Sequence, residues 1–144
     1  MIVLDTNVIS ELMRDEPATE VVSWVDQHPP DEVFVTAVTA AELLYGVARL
    51  PDGRRKTVLT HKARELLDDD FDGQVLAFDR HAASLYAQIV ASRERGGSPI
   101  SSPDAQIAAM CRAHDAGLAT RNVKDFVDTG ITIVDPWDTA TERT

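Results

Sequence analysis

A single cysteine, Cys111, stands in 144 residues; it rules out an internal disulfide and leaves the thiol, set within "DAQIAAMCRA", as a small apolar core residue. Long hydrophobic runs are missing as well, since none approaches the roughly 18 residues that a bilayer-spanning helix requires. No basic segment precedes the short apolar run at the N-terminus, so the expectation is a soluble protein that is not exported and works in the cytoplasm. Positive charge is scarce, with 14 Lys and Arg against 24 Asp and Glu and a formal net charge of −10. Such a field keeps the chain soluble and repels other polyanions at long range, which argues against nucleic-acid binding through bulk charge. Zinc-ligand spacing is absent among His28, His61, His81 and His114, and so is the G-x-S-x-G turn of a serine nucleophile. No internal repeat, low-complexity segment or linker interrupts the chain, and its length and 44% hydrophobic content fit one domain over 1–144.

What is present is a regular alternation of short apolar runs with longer amphipathic ones, the pattern of an α/β sandwich around a mostly parallel sheet of four to five strands. "MIVLD" reads as a buried first strand and "NVISELMR" as a short helix entered directly from it. "EPATEVVSWVDQHP" makes a second helix, stopped by Pro29 and Pro30. "EVFVT" is the next strand, followed by the helical "AVTAAELLYGVARLP" and by a long exposed helix over "GRRKTVLTHKARELLDDDF". "QVLAFD" reads as a third strand, with Asp79 placed to cap the helix "HAASLYAQIVASRER". Ser102, Pro103 and Asp104 open another helix that runs to about residue 115. "LAT" is a fourth strand, "NVKDF" a single helical turn and "ITIVD" a last strand. The basic run "RLPDGRRKTVLTHKAR" and the acidic "ELLDDDFD" behind it both fit solvated helix faces.

Parallel sheets bind ligands beyond the carboxyl ends of their strands. That rule selects Asp5 after the first strand, Glu42 a turn or two beyond the second, Asp104 at the helix before the fourth, and Asn122 and Asp125 after "LAT". Each also has a purely structural role open to it. Asp5 can bond backbone N–H groups of the next helix, Glu42 is a good helix former, and Asp104 complements a helix dipole. Asn122 with Asp125 three residues on resembles a capping arrangement. Together, however, these acids fall at one end of the expected sheet, where carboxylates repel one another unless a cation lies among them. A hard divalent ion such as Mg²⁺ suits an all-oxygen site that leaves water positions for a phosphate.

The same residues carry a resemblance. "VLDTNVISEL", "TAVTAAELLYGVARL", "ISSPDAQIAAMCRAHDAGLATRNVKDF" and "VDPW" resemble, in order and over nearly the whole chain, the PIN-domain family and within it the FitB-like branch of VapC-type toxins. That resemblance implies a PIN-like α/β/α sandwich and Mg²⁺- or Mn²⁺-dependent endoribonuclease activity. It further implies that Asp5, Glu42 and Asp104 bind metal and that Thr6 and Asn7 support the first aspartate. The fourth acidic position of many relatives falls on Asn122, an amide, which leaves Asp125 as the carboxylate available to complete the catalytic set. Capping of the first helix then falls to Thr6 or Asn7 while Asp5 faces the cleft. Arg49, Arg54, Arg55, Lys56, Arg121 and Lys124 are candidates to hold the RNA backbone, with a solvated face or an antitoxin contact as the alternative. The implied partners are a small antitoxin protein, a second copy of the chain in a homodimer, a toxin–antitoxin hetero-oligomer, and operator DNA reached only through the antitoxin. A phosphatase of the haloacid-dehalogenase type would need an aspartate where Asn7 stands. The remaining rival is an inactive PIN-fold protein that acts only by binding its antitoxin and DNA.

Overall fold

The computed structural model describes residues 1–138. Five short strands, β1 (Ile2–Leu4), β2 (Val33–Thr36), β3 (Val75–Leu76), β4 (Gly117–Ala119) and β5 (Ile133–Val134), form one sheet in the order β3-β2-β1-β4-β5. Every pairing is parallel, with Ile2 opposite both Val33 and Gly117, Val35 opposite Val75, and Leu118 opposite Ile133. From β1 the chain winds outward through β2 to β3 and then returns to β4 on the other side. The switch point therefore lies between β1 and β4, where a crevice opens past the strand ends.

Among the described residues six α-helices cover the sheet: α1 (Thr6–Leu12), α2 (Thr19–Asp26), α3 (Ala37–Ala48), α4 (Arg54–Glu65), α5 (Arg80–Arg95) and α6 (Ser102–Ala113). β1 is buried on both faces and its side chains alternate between two cores. Val3 packs with Ala82 and Ile89 of α5, Ile107 to Cys111 of α6, Leu118 and Phe126. Ile2 and Leu4 pack with Val8 and Ile9 of α1, Val21 and Trp24 of α2, and Leu43 of α3. This is the expected α/β/α sandwich. Cys111 is buried within the first core, and burial pushes its thiol pKa up to about 12, so it is chemically inert.

Two strands are shorter than expected, and the last of them, read over "ITIVD", pairs only at Ile133–Val134. The third strand shrinks to Val75–Leu76, because its partner β2 turns into α3 after Thr36 and the ladder has nothing further to bond. α6 starts at Ser102 as expected, and its cap is Ser101, whose hydroxyl accepts from the Asp104 N–H. Asp79 caps α5 as read from the sequence, accepting from the Ala82 N–H. α4 is the exposed helix expected, with Ala63 its buried residue, and passes into a π-helical turn over Leu66–Asp70. "NVKDF" becomes a 3₁₀ turn over Val123–Phe126, but Asn122 makes no side-chain cap bond to it, so the capping role read for that residue does not hold. Among the described residues no helix is long and apolar enough to cross a membrane.

Candidate active site

β1 delivers Asp5 to the crevice, and the ladder to β4 continues one residue past the strand through the Asp5 N–H to the Ala119 carbonyl at 2.9 Å. One carboxylate oxygen of Asp5, Oδ1, accepts from the Thr6 N–H at 2.8 Å and so caps α1. The other, Oδ2, accepts from the Thr120 hydroxyl at 2.7 Å and from the Asn7 side-chain amide at 3.3 Å. The cap is therefore Asp5 itself and not Thr6 or Asn7, because the extended backbone at residue 5 aims its short side chain at the first free N–H. Asp5 is only 5% exposed, and burial raises its pKa. Hydrogen bonds from Thr120 and Thr6 oppose that rise, and the charges of Glu42 and Asp125 add to it.

Thr120 sits at the centre of this arrangement. Its buried hydroxyl donates to Asp5 and accepts from the Asn122 N–H at 3.0 Å and the Asn7 amide at 3.3 Å, which uses the one donor and two acceptor positions a hydroxyl has. Asn7 adds a further tie across the crevice, its Oδ1 accepting from the Arg121 N–H at 3.2 Å. Thr6 supports the second acid: its hydroxyl donates to Glu42 Oε1 at 2.8 Å. Since Thr6 has one proton and a carboxylate only accepts, the 3.0 Å contact between Thr6 and the buried Thr39 hydroxyl is a bond donated by Thr39. Glu42 is exposed, yet this relay fixes its carboxylate toward the crevice.

Asp104 enters from the first turn of α6, where the half-buried carboxyl has a raised pKa. Burial is the main cause; the charges of Asp5 and Asp125 reinforce it, while the Ser101 hydrogen bond and the Arg93 charge act against it. Asp5, Glu42 and Asp104 line one cleft of about 570 Å³ together with Thr6, Asn7 and Asn122. Asp125 is exposed and outside that lining, so it reaches the site through its charge, whereas Asn122 is part of the wall. Of the cations read from the sequence, Arg121 lines the cleft. Arg49 lies over the Tyr45 ring at 5.9 Å, Lys56 pairs with Asp52 at 3.3 Å, and Arg49, Arg54, Arg55, Lys56 and Lys124 are outside the cleft lining. Physically, α3 and α4 present that basic run to solvent rather than to the strand ends. Residues the sequence reading passed over are Thr120, Thr39, Glu11, Arg14 and the buried Arg93.

Arg93 connects the loop before α6 with the turn that carries Asp125. Its guanidinium donates to the carbonyls of Ser98, Asp125 and Val127 at 2.6, 3.0 and 2.9 Å, tying the approach to α6 to the turn after β4. Among the described residues no three His, Cys, Asp or Glu side chains already close on a common point as a metal-ligand group. The donors facing the cleft are nonetheless all oxygens, chiefly carboxylates, with the Glu42 charge helping to raise the pKa of Asp5 and the Asp5 charge that of Asp104, and a hard divalent cation fits that set.

Comparison with known proteins gives three findings. The family profile described as PIN domain matches residues 2–131. The chain is 39% identical over 140 residues to VapC ribonuclease Y4jK of Sinorhizobium fredii (97% of this chain, 100% of the relative), and 39% identical over 137 residues to Toxin FitB of Neisseria gonorrhoeae (95% and 99%). Among solved structures it resembles FitAB bound to an IR36 DNA fragment, with a TM-score of 0.90 at 38% identity over 96% of each chain.

Proposed function

The chain belongs to the PIN-domain family, and from that premise we propose that it is the ribonuclease toxin of a toxin–antitoxin pair, an endonuclease hydrolysing RNA phosphodiester bonds. The observation that carries the reading is the meeting of Asp5, Glu42 and Asp104 at the switch point of the sheet, each delivered by a different element and each held by its own neighbours. Asp5, Asp104 and Glu42 would hold Mg²⁺ or Mn²⁺. Bound there, the ion supplies activation of the attacking water and neutralises charge that builds on the phosphate.

The chain's own residues do the rest. Thr120 and Asn7 hydrogen-bond the carboxylate form of Asp5 and orient it, and the Thr39–Thr6 relay orients Glu42. Asp125 adds negative charge from outside the cleft lining, in partial replacement of the acid that Asn122 lacks. Arg121 meets the RNA backbone at the cleft, while Arg49 and Lys124, outside it, meet RNA only farther along the strand.

An antitoxin segment bearing basic side chains suits the same acidic cleft, and the similarity to FitAB on DNA supports operator DNA being reached through that partner. A homodimer and a toxin–antitoxin hetero-oligomer are the assemblies expected, and light scattering on the purified protein alone and with its antitoxin measures both. The cytoplasm is where substrate and antitoxin are made. Purified protein is expected to cleave RNA in Mg²⁺ or Mn²⁺ and to stop in EDTA or on Asp5→Asn. Cleavage indifferent to both treatments would refute the metal-nuclease reading, and no cleavage by the folded parent protein would favour the inactive binding protein.

A further inference from the structure

The cleft has a second wall that the acids do not account for. Glu11 of α1 is only 7% exposed; it accepts from the Ala18 N–H at 2.9 Å and from Arg14 Nη1 at 3.3 and 3.1 Å. These contacts seat a buried carboxylate whose outward partner, Arg14, keeps 66% of its side chain in solvent at the cleft. Arg121 arrives from the loop after β4 with its guanidinium 4.7 Å above the ring of Trp137. Trp137 is half-buried and packed on the core beneath α1 and α2, and its backbone N–H donates to Asp135 Oδ1 at 2.9 Å. Glu11 feels both arginines, since after the Ala18 bond it is Arg14 and then Arg121 that hold its carboxyl below the usual range, against its own burial. Two cations against one anion leave this wall net positive, facing the three acids on the other side.

Resting on the ribonuclease reading, we propose that Arg14 and Arg121 form a phosphate subsite that receives the RNA phosphate next to the one at the acids. Glu11 and Trp137 are its positioning residues. A chain of net charge −10 gains little from its overall field when it meets RNA, so affinity has to come from cations placed locally. A guanidinium stacked on an indole keeps its N–H edge free for phosphate oxygens and loses little freedom when it binds them. Neither arginine belongs to the basic run over residues 49–64; Arg14 is seated at the cleft by the buried Glu11 and Arg121 by the half-buried Trp137.

The test titrates a short fluorescein-labelled single-stranded RNA against the Asp5→Asn protein in Mg²⁺, reading anisotropy over a series of KCl concentrations. Adding Arg121→Gln or Arg14→Gln is expected to weaken binding roughly tenfold. Each is also expected to flatten the slope of log K against log salt by about 0.7. Trp137→Leu should reproduce part of the Arg121 loss and Trp137→Phe should restore it, which separates ring stacking from bulk packing. Melting curves confirm that each variant is folded, and Arg121→Gln and Arg14→Gln, being exposed, keep the test informative if Trp137→Leu does not fold. Unchanged affinity and slope in both arginine variants overturn the subsite, including the case in which only capture of a co-expressed antitoxin weakens. A parent protein that leaves RNA uncut in Mg²⁺ and Mn²⁺ is a separate failure, that of the ribonuclease reading, and removes the subsite with it.

Discussion

Thr120→Val removes one hydroxyl and almost no volume, and it strikes the group on which the Asp5 carboxylate depends. The lost bond, at 2.7 Å to Oδ2, is charge-assisted and fully shielded from water, since Thr120 has no exposed surface. A hydrogen bond to a charged group is worth about 2 kcal/mol, and for a chain of this size that lowers the melting temperature by about 7 °C. The effect on Asp5 has a definite sign. The hydroxyl bond stabilises the ionised carboxylate and is the largest influence lowering a pKa that burial has raised, so its loss raises that pKa further.

Catalysis needs Asp5 ionised, and the acid limb of the pH–rate profile for RNA cleavage should therefore move to higher pH in Thr120→Val. Thr120→Ser keeps donor and acceptors and should leave the limb in place, at the smaller stability cost of one buried methyl group, about 1 kcal/mol. The assay is single-turnover cleavage of labelled RNA at saturating Mn²⁺ across the acid range, with melting curves alongside. A Thr120→Val profile that superimposes on the parent would refute the assignment of Thr120 as the group that stabilises the carboxylate form of Asp5.

Asp5 and Asp104 both have pKa values raised in the folded state, so their contribution to stability is fully present below the ordinary carboxylate range and is lost as pH rises through the folded values. In EDTA the protein should thus lose stability over that interval, and added Mn²⁺ should restore about 2.7 kcal/mol at a hundredfold excess over its dissociation constant. Scanning fluorimetry with and without Mn²⁺ reads both, and a metal-independent melting curve at neutral pH would contradict the site. Arg93→Met leaves three carbonyl bonds unmade and should cost about 3 kcal/mol in urea unfolding. Arg93→Lys should recover only part of this, because an ammonium lacks the fork that spans both loops. Leu118→Ala, at a fully buried position in β4, should cost roughly 2–5 kcal/mol while leaving the Mn²⁺-induced shift intact, as measured by denaturation at several metal concentrations.

How far the sequence discloses this molecule depends on how local each cause is. Apolar runs broken by polar residues mark β1, β2 and β4, since a strand buried on both faces must be apolar throughout and must stop where a side chain needs water or a partner. Asp79 reads correctly as a cap because its bond spans three residues. β3 does not, since its length is set by where β2 ends, a fact about another segment. The site divides the same way. Asp5, Glu42 and Asp104 can be found because each follows a strand or opens a helix, whereas Thr120 looks like the last residue of an apolar strand. Its role appears only when Asp5, 115 residues away, is brought beside it. The rule that picked Asn122 would have picked Thr120 had it been applied two residues earlier. For cations, local reading misleads: the basic run over residues 49–64 attracts notice by density, yet density is what a solvated helix tolerates. Arg121 is legible because it follows the fourth strand, whereas Arg14 is a single charge with no local signal; a buried glutamate seats Arg14 and a tryptophan holds Arg121. Asp5 combines both kinds of cause, because one carboxylate oxygen satisfies the adjacent helix while the other is held by Thr120 and Asn7. A change to Asp5 therefore perturbs the start of α1 and the chemistry together, and only substitutions at Thr120 or Asn7 can separate the two.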